Sequence, residues 1–208
     1  MSLIHYNKTV LIGNAGSGKT SLVHYLQFGK FNNDIASTIG TTYALHTMNI
    51  DGSNVKLHIW DTSGESRYNT LLPMFIRNSK IVLICVDEPN VSLVQIYERE
   101  IKNTDAFARI ILVITKIDKL AHLISSRECI IEYALSKNMD IFFTSSTSGK
   151  GVHELFEEVG RHFIQIDTVS DDCDTELDLN QTTSERGFHR ENVCRNVRGM
   201  FSRWCVML

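Results

Sequence analysis

The sequence predicts an α/β fold, a six-stranded and mostly parallel sheet with one antiparallel edge strand and helices on both faces. Short apolar runs at 8–12, 44–50, 55–60, 81–86, 110–115 and 141–144 alternate, in the later part of the chain, with segments of helical spacing. That order marks a sheet covered on both sides. The second and third runs lie too close for a helix between them, and Asp51-Gly52 supplies a turn, so these two pair antiparallel at an edge. Between the first run and the first helical pattern stands a glycine-rich loop ending in Lys-Thr, which ties strand, loop and helix into one unit.

Taken in order, Thr9-Val10-Leu11-Ile12 forms the first strand, and the helix after it opens near Lys19 and carries Leu22, Val23 and Leu26. The hairpin follows, then the strand Ile81 to Val86. Pro89 stands where a helix begins, with Leu93, Ile96, Tyr97 and Ile101 as its inner face. After the strand at 110–115, Ile130, Ile131, Ala134 and Leu135 share one helical stripe. After 141–144, Val152, Leu155, Phe156, Val159 and Phe163 share another, with charges opposite in both.

The chain has 208 residues, 43% of them hydrophobic, and its apolar positions fade after about Ile166. One folded domain over 1–166 and a tail are expected. The net charge of −3, with no basic stripe in the folded part, argues against nucleic acid as a partner. Ile81 to Val86, the longest apolar run, is too short to cross a bilayer, and Met1-Ser2-Leu3-Ile4-His5 lacks a signal design, so a cytosolic pool is expected. The five cysteines fit neither metal spacing nor a disulfide framework, and Cys85 and Cys129 read as small buried residues.

Gly13-Asn14-Ala15-Gly16-Ser17-Gly18-Lys19-Thr20, with Ser21 behind it, is a phosphate-binding loop. Its backbone N–H groups wrap the phosphates, with Gly13 and Gly18 where a Cβ would block the turn or the close approach. Lys19 adds positive charge at the β and γ oxygens. The Thr20 hydroxyl can ligate Mg²⁺, and the N-terminus of the first helix is expected to face the anion. Thr115-Lys116-Ile117-Asp118 follows a strand end. A carboxylate there accepts from both guanine N1–H and the 2-amino group, a pair adenine does not offer, while the Lys116 stem covers the ring.

Five blocks in order resemble the small GTPases of the Ras superfamily, and over residues 8–164 most closely its Rab branch. They are the phosphate loop, Ser37-Thr38-Ile39-Gly40, Trp60-Asp61-Thr62-Ser63-Gly64-Glu65, Thr115-Lys116-Ile117-Asp118 and Thr144-Ser145-Ser146-Thr147. The resemblance implies the P-loop small-GTPase fold, GTP and GDP as ligands and Mg²⁺ as cofactor. It also implies that Thr38 joins Thr20 and Asp61 around Mg²⁺, Asp61 through water, and that the Gly64 N–H reaches the γ-phosphate. Loss of that phosphate then releases two switch loops. Phe31 takes the place of the family's aromatic against the guanine edge, with a plain core phenylalanine as the other reading. Ser146, between Ser145 and Thr147, offers its N–H to guanine O6, unless this is only a Ser/Thr-rich turn. Arg67-Tyr68 and Val55 to Trp60 match Rab signatures. Ile39, Tyr43, Trp60 and Phe75 fall where that branch presents effectors with a surface, unless they merely pack beside the hairpin.

Two positions depart from the family. Thr115 replaces an Asn and makes fewer hydrogen bonds between base and phosphate loops; Rho-type relatives also carry Thr there. Glu65 replaces the water-orienting Gln, and an ionised carboxylate only accepts hydrogen bonds and brings charge toward the γ-phosphate. Hydrolysis then rests on Glu65 as a base or on an amide supplied by a GTPase-activating protein, alongside Lys19 and Gly64; a GTP-held scaffold without hydrolysis is the alternative. Ala15 is a Rab-side feature.

The tail over 167–204 turns from acidic to basic. Asp171, Asp172, Asp174, Glu176 and Asp178 crowd one stretch that cannot bury enough to fold. Some 40 flexible residues reach roughly 35 Å. Arg186, Arg190, Arg195, Arg198 and Arg203 oppose only Glu191 further on. Cys205-Val206-Met207-Leu208 fits a prenylation box, and Leu208 favours geranylgeranylation. Cys194 is a palmitate acceptor or a bystander thiol. A single-cysteine box blurs the branch, since Rab-like proteins commonly end in two cysteines, and a Ras- or Rho-like signalling switch stays open. Expected partners are an exchange factor, a GTPase-activating protein, effectors, a prenyltransferase and a GDI-type chaperone. The expected place is the cytoplasmic face of an intracellular or plasma membrane.

Overall fold

The computed structural model describes residues 7–105, 107–119 and 124–171, with backbone alone at 124–126 and 166–171. Along the chain run β1 (Lys8–Ile12), α1 (Lys19–Phe28), β2 (Thr41–Ile50), β3 (Ser53–Thr62), a 3₁₀ turn (Ser66–Leu71), α2 (Leu72–Ile76), β4 (Ile81–Val86) and α3 (Val91–Thr104). Then come β5 (Arg109–Ile114), a short 3₁₀ turn (Ile117–Lys119), α4 (Ile124–Ser136), β6 (Asp140–Phe143) and α5 (Val152–Asp171).

The six strands form one sheet in the order β2-β3-β1-β4-β5-β6. Only β2 and β3 pair antiparallel, at the edge, as the hairpin spacing requires. Asp51 and Gly52 join them with φ of 49° and 86°, so both turn residues are left-handed, and Ile50 pairs with Ser53 across a two-residue loop. Such a turn matches the twist of the strands it links. Both strands outrun their apolar signal. Thr41-Thr42 and Asp61-Thr62 are polar and still pair, Thr41 with Thr62 and Thr42 with Asp61.

Each central strand is buried on both faces, which is why it reads as a continuous apolar run. In β4 the residues Ile81, Leu83 and Cys85 face Val152, Leu155, Phe156, Val159 and Phe163 of α5 together with Leu22 and Val23 of α1. Val82, Ile84 and Val86 face the opposite core with Val94 and Ile101 of α3 and Ile130 and Ala134 of α4. Each such side chain, fully buried, contributes about 1.5–3 kcal/mol.

The helical stripes are right in period and partly wrong in phase. In α3 the buried residues are Val94, Glu98 and Ile101. Leu93 and Tyr97 pack at the core's margin, and Ile96, expected inside, is 60% exposed. Leu135 is likewise exposed, because the stripe of α4 centres on Ile130 and Ala134. Cys85 is buried as expected; Cys129, expected to be buried, is exposed. Helix α3 begins at Val91 behind Asn90, whose side chain accepts from the Leu93 N–H at 3.1 Å, so Pro89 precedes the cap. The last helix runs on to Asp171. The remaining tail, with its basic stretch, Cys194 and the Cys205 box, lies outside the described residues.

Candidate nucleotide-binding site

The strand order reverses at β1: its loop leads to α1 on one face, while neighbouring β4 leads to α3 on the other. Ligands of open α/β sheets bind at the carboxyl ends of strands at such a point. Here the loops after β1, β3, β5 and β6 meet, and β2, running the other way, brings its beginning to the same edge beside the end of β3.

A cavity at this edge is lined by Ala15, Gly16, Gly18, Lys19, Thr20, Ser21, Phe31, Thr38, Gly64, Glu65 and Lys116, among others. Four of the five sequence blocks, far apart in the chain, thus have residues on one space, the fourth through Lys116 alone. Phe31 is 37% exposed and lines it, which removes the reading of a plain core residue. Gly13, Asn14 and Ser17 stand outside the lining and support it. At Gly13 φ is 147°, and a Cβ would come within 2.1 Å of the Cys85 carbonyl oxygen, so glycine is required twice over. At Gly64 a Cβ would meet the Asn14 carbonyl carbon at 2.2 Å, and the Gly64 carbonyl accepts from the Ala15 N–H at 2.9 Å. The two loops therefore touch backbone to backbone.

Lys19 reaches back over the loop and donates to the carbonyls of Gly13 and Asn14, both at 2.8 Å, and to Ser17 Oγ at 3.2 Å. Burial lowers its pKa, with nearby Asp61 among the groups opposing the shift. The Thr20 hydroxyl donates to Asp61 Oδ2 at 2.7 Å, and the Thr38 hydroxyl lies 2.8 Å from that of Thr20 and 3.3 Å from Oδ2. Asp61 Oδ1 is buried without a hydrogen-bond partner among the described residues. Burial raises the Asp61 pKa and outweighs the Thr20 bond and the Lys19 charge that would lower it. Two hydroxyls and an under-satisfied carboxylate are hard oxygen donors around one point. That donor set fits Mg²⁺, with the Thr20 and Thr38 hydroxyls as its ligands and Asp61 holding it through water, as the sequence leads one to expect.

At the base-reading block, Thr115 Oγ1 donates to the Ser17 carbonyl at 2.7 Å, with Val86 O at 3.2 Å. The smaller residue still bridges to the phosphate loop. Lys116 adopts φ of 53° and pairs with Asp87 Oδ2 at 2.9 Å. Asp118 Oδ1 accepts from Ser145 Oγ at 2.6 Å, which fixes the carboxylate from the fifth block. Ser145 is buried, and its turn closes through Ser145 N–H to Lys150 O and Gly149 N–H to Ser145 O. Asp118, Ser145, Ser146 and Thr147 do not line the cavity itself.

Glu65 lies at the cavity wall, and its Oε2 is 2.7 Å from Arg67 Nε. Of the expected surface residues, Ile39 is 77% exposed and Tyr43 is 48% exposed. The Tyr43 hydroxyl meets His58 Nδ1 at 2.7 Å and its ring meets Trp60 edge-on at 5.6 Å. Phe75 departs from this group, because it is buried with Leu72 and Ile76 in the core beside α3. An aromatic with an apolar helix turn on either side is drawn inward when the turn docks.

Three residues of this edge were not among the expected site residues: Asp87 paired with Lys116, Arg67 paired with Glu65, and Tyr97, whose hydroxyl donates to Asn14 Oδ1 at 2.7 Å. Asp87 carried a signal, an acid directly after a buried strand whose neighbour in the sheet leads to Lys116. Tyr97 carried none, since its contact spans 83 positions.

A family profile described as Ras family matches residues 8–165. The dog protein Ras-related protein Rab-13 is 30% identical over 164 residues, 77% of this chain and 81% of that one. Ras-related protein Rab-21 of Geodia cydonium is 32% identical over 167 residues, 78% of this chain and 73% of that one. Rice Ras-related protein Rab5A is 27% identical over 191 residues, 90% of this chain and 94% of that one. With the sheet, the phosphate loop and the converging blocks already in place, the chain belongs to the Ras family and resembles its Rab proteins.

Proposed function

We propose that this protein is a Rab-like switch that binds GDP and GTP with Mg²⁺, hydrolyses GTP to GDP and recruits effectors at a membrane in vesicle traffic. The observation that carries the reading is the meeting of Thr20, Thr38 and Asp61 beside Lys19, with one Asp61 oxygen buried and unpartnered. Bound Mg²⁺ would supply positive charge to the β and γ phosphates. Lys19 holds the phosphates, Gly18 and Lys19 open a helix toward them, and Asp118 selects guanine by its N1–H edge. Thr38 and Gly64 sit on separate loops that both face the γ-phosphate position, so its loss frees both.

Ile39, Tyr43 and half-buried Trp60 offer the effector surface. An exchange factor, a GTPase-activating protein and a GDI-type chaperone are the regulators such a cycle requires. A prenyl group on Cys205 and the basic stretch before it would hold the protein at the cytoplasmic face of a membrane. Among the described residues no helix is long and apolar enough to cross one.

Glu65 favours a second reading, a GTP-held scaffold that turns over only when a partner supplies an amide in trans. Nucleotide competition in the presence of Mg²⁺, followed by GTP hydrolysis over time, tests both. GTP and GDP should displace a bound guanine nucleotide while ATP does not. Competition by ATP at equal strength refutes the switch; binding without hydrolysis selects the scaffold.

A further inference from the structure

Glu65 sits where an unrestrained carboxylate has two faults. It is free to swing, so it rarely points at a water beside the γ-phosphate, and its charge repels that phosphate. The chain answers both faults within one short turn. Glu65 precedes the 3₁₀ segment Ser66–Leu71 in an extended conformation, and the Tyr68 N–H donates to the Glu65 carbonyl at 2.9 Å. The turn brings Arg67 back over Glu65, Nε to Oε2 at 2.7 Å. The guanidinium lies 5.0 Å from the centre of the Tyr68 ring, a cation–π contact that adds a second hold on it. Glu65 itself lines the cavity with Lys19, Thr38 and Gly64.

We infer that Arg67 is a positioning residue for GTP hydrolysis: clamped against Tyr68, it orients the Glu65 carboxylate at the cavity wall and offsets its charge, so that Glu65 serves where relatives carry Gln. The inference rests on the reading that the cavity takes GTP. In the step it serves, a water oxygen bonds to the γ-phosphorus and the bond from that phosphorus to the β–γ bridging oxygen breaks. Its electron pair stays on GDP. The Glu65 carboxylate accepts the hydrogen bond, then the proton, of the attacking water and returns that proton to phosphate or solvent. An Arg–carboxylate pair fixes direction as well as charge, whereas lysine supplies a point charge alone.

The pair is exposed, with 64% and 32% of the two side chains open to solvent, and such pairs contribute little to folding. Its loss should therefore appear in the rate and not in the melting temperature. The test is a double-mutant cycle on the full chain, with GTP affinity, single-turnover hydrolysis and thermal unfolding measured on wild type, Arg67→Ala, Arg67→Lys, Glu65→Gln and Glu65→Gln with Arg67→Ala. Arg67→Ala should slow hydrolysis by about 3–10-fold, a range typical of losing one orienting contact. Arg67→Lys should restore part of the rate. In the Glu65→Gln background Arg67→Ala should change the rate by less than about 1.5-fold. Equal losses in both backgrounds, a parallel fall in melting temperature, or GTP binding by wild type with no hydrolysis overturns the role of Arg67. Failure of wild type to bind GTP defeats instead the reading of the cavity.

Discussion

At Asp61 the balance of forces runs against the charge: burial is the larger effect, the hydrogen bond from Thr20 and the positive Lys19 are the smaller, and the pKa is raised. A carboxyl whose folded pKa exceeds its unfolded value favours folding most when protonated. The nucleotide-free, metal-free protein should therefore lose stability as pH rises through the Asp61 pKa. Mg²⁺ binding requires the ionised form and so strengthens over the same rise. Asp61→Asn keeps an acceptor facing Thr20 and removes the charge. Melting curves of that variant without metal should lack the share of the wild-type decline that Asp61 contributes as pH rises, and Mg²⁺ should no longer slow its release of nucleotide. A retained Mg²⁺ effect would place the cation elsewhere. None of this is visible in the letter D; what the sequence shows is the block Trp60-Asp61-Thr62-Ser63-Gly64-Glu65, while the orphaned oxygen and the burial exist only once the loops meet.

Between elements, the seam of α3 and α4 is joined by a buried acid. Glu98 is 6% exposed, accepts from Lys102 Nζ at 2.5 Å on its own helix and is bound by the Tyr133 hydroxyl from α4. Burial pushes its carboxyl up, and the bonds from Lys102 and Tyr133 together more than offset it, leaving the pKa below the usual range. Its contribution is present above the unfolded pKa and lost as pH falls through the folded one. Tyr133→Phe leaves a buried acceptor short of one donor and should cost about 1–2 kcal/mol by urea unfolding at neutral pH. The gap from wild type should narrow in acid, and a gap constant with pH would mean that packing alone joins the helices. Hydropathy hid this seam, because a charged residue on a helix reads as its outer face. The same limit explains Ile96 and Leu135: a stripe of apolar residues gives the period of a helix, while its rotational phase depends on what it packs against. Strands suffered less, since runs buried on both sides have no phase to misjudge, and only their polar ends, such as Thr41-Thr42, went unseen.

For the whole molecule, the nucleotide is expected to act as a fastener, because the loops that would hold it leave β1, β3, β5 and β6 and enter β2, so nearly every strand of the sheet reports to one ligand. The candidate site was legible in sequence where chemistry demands fixed spacing, as in Gly13 to Thr20, while of Thr115 to Asp118 only Lys116 lines the cavity. It was illegible where contacts cross the fold, as in Thr115 to Ser17 over 98 positions. The proposed membrane end rests on the sequence of the tail alone. One lipid binds marginally, and the net positive charge of +4 over 186–204 adds up to about 4 kcal/mol near anionic lipid. Cys205→Ser should thus move the prenylated protein's partition from phosphatidylserine vesicles to the supernatant, and unchanged sedimentation would defeat the anchor. Nucleotide binding to the folded state alone should stabilise it by about 4.1 kcal/mol at a thousand times the dissociation constant. At roughly 2–4 °C per kcal/mol for a domain of this size, GDP with Mg²⁺ should raise the melting temperature by about 8–16 °C. ATP at the same concentration should raise it by less than about 2 °C, because Asp118 finds no paired donors on adenine. Asp118→Ala should abolish most of the GDP shift while the protein without nucleotide melts as before within a few degrees. Equal shifts from ATP and GDP in the wild type would remove Asp118 as the reader of the base and leave the phosphate loop as a grip without selectivity.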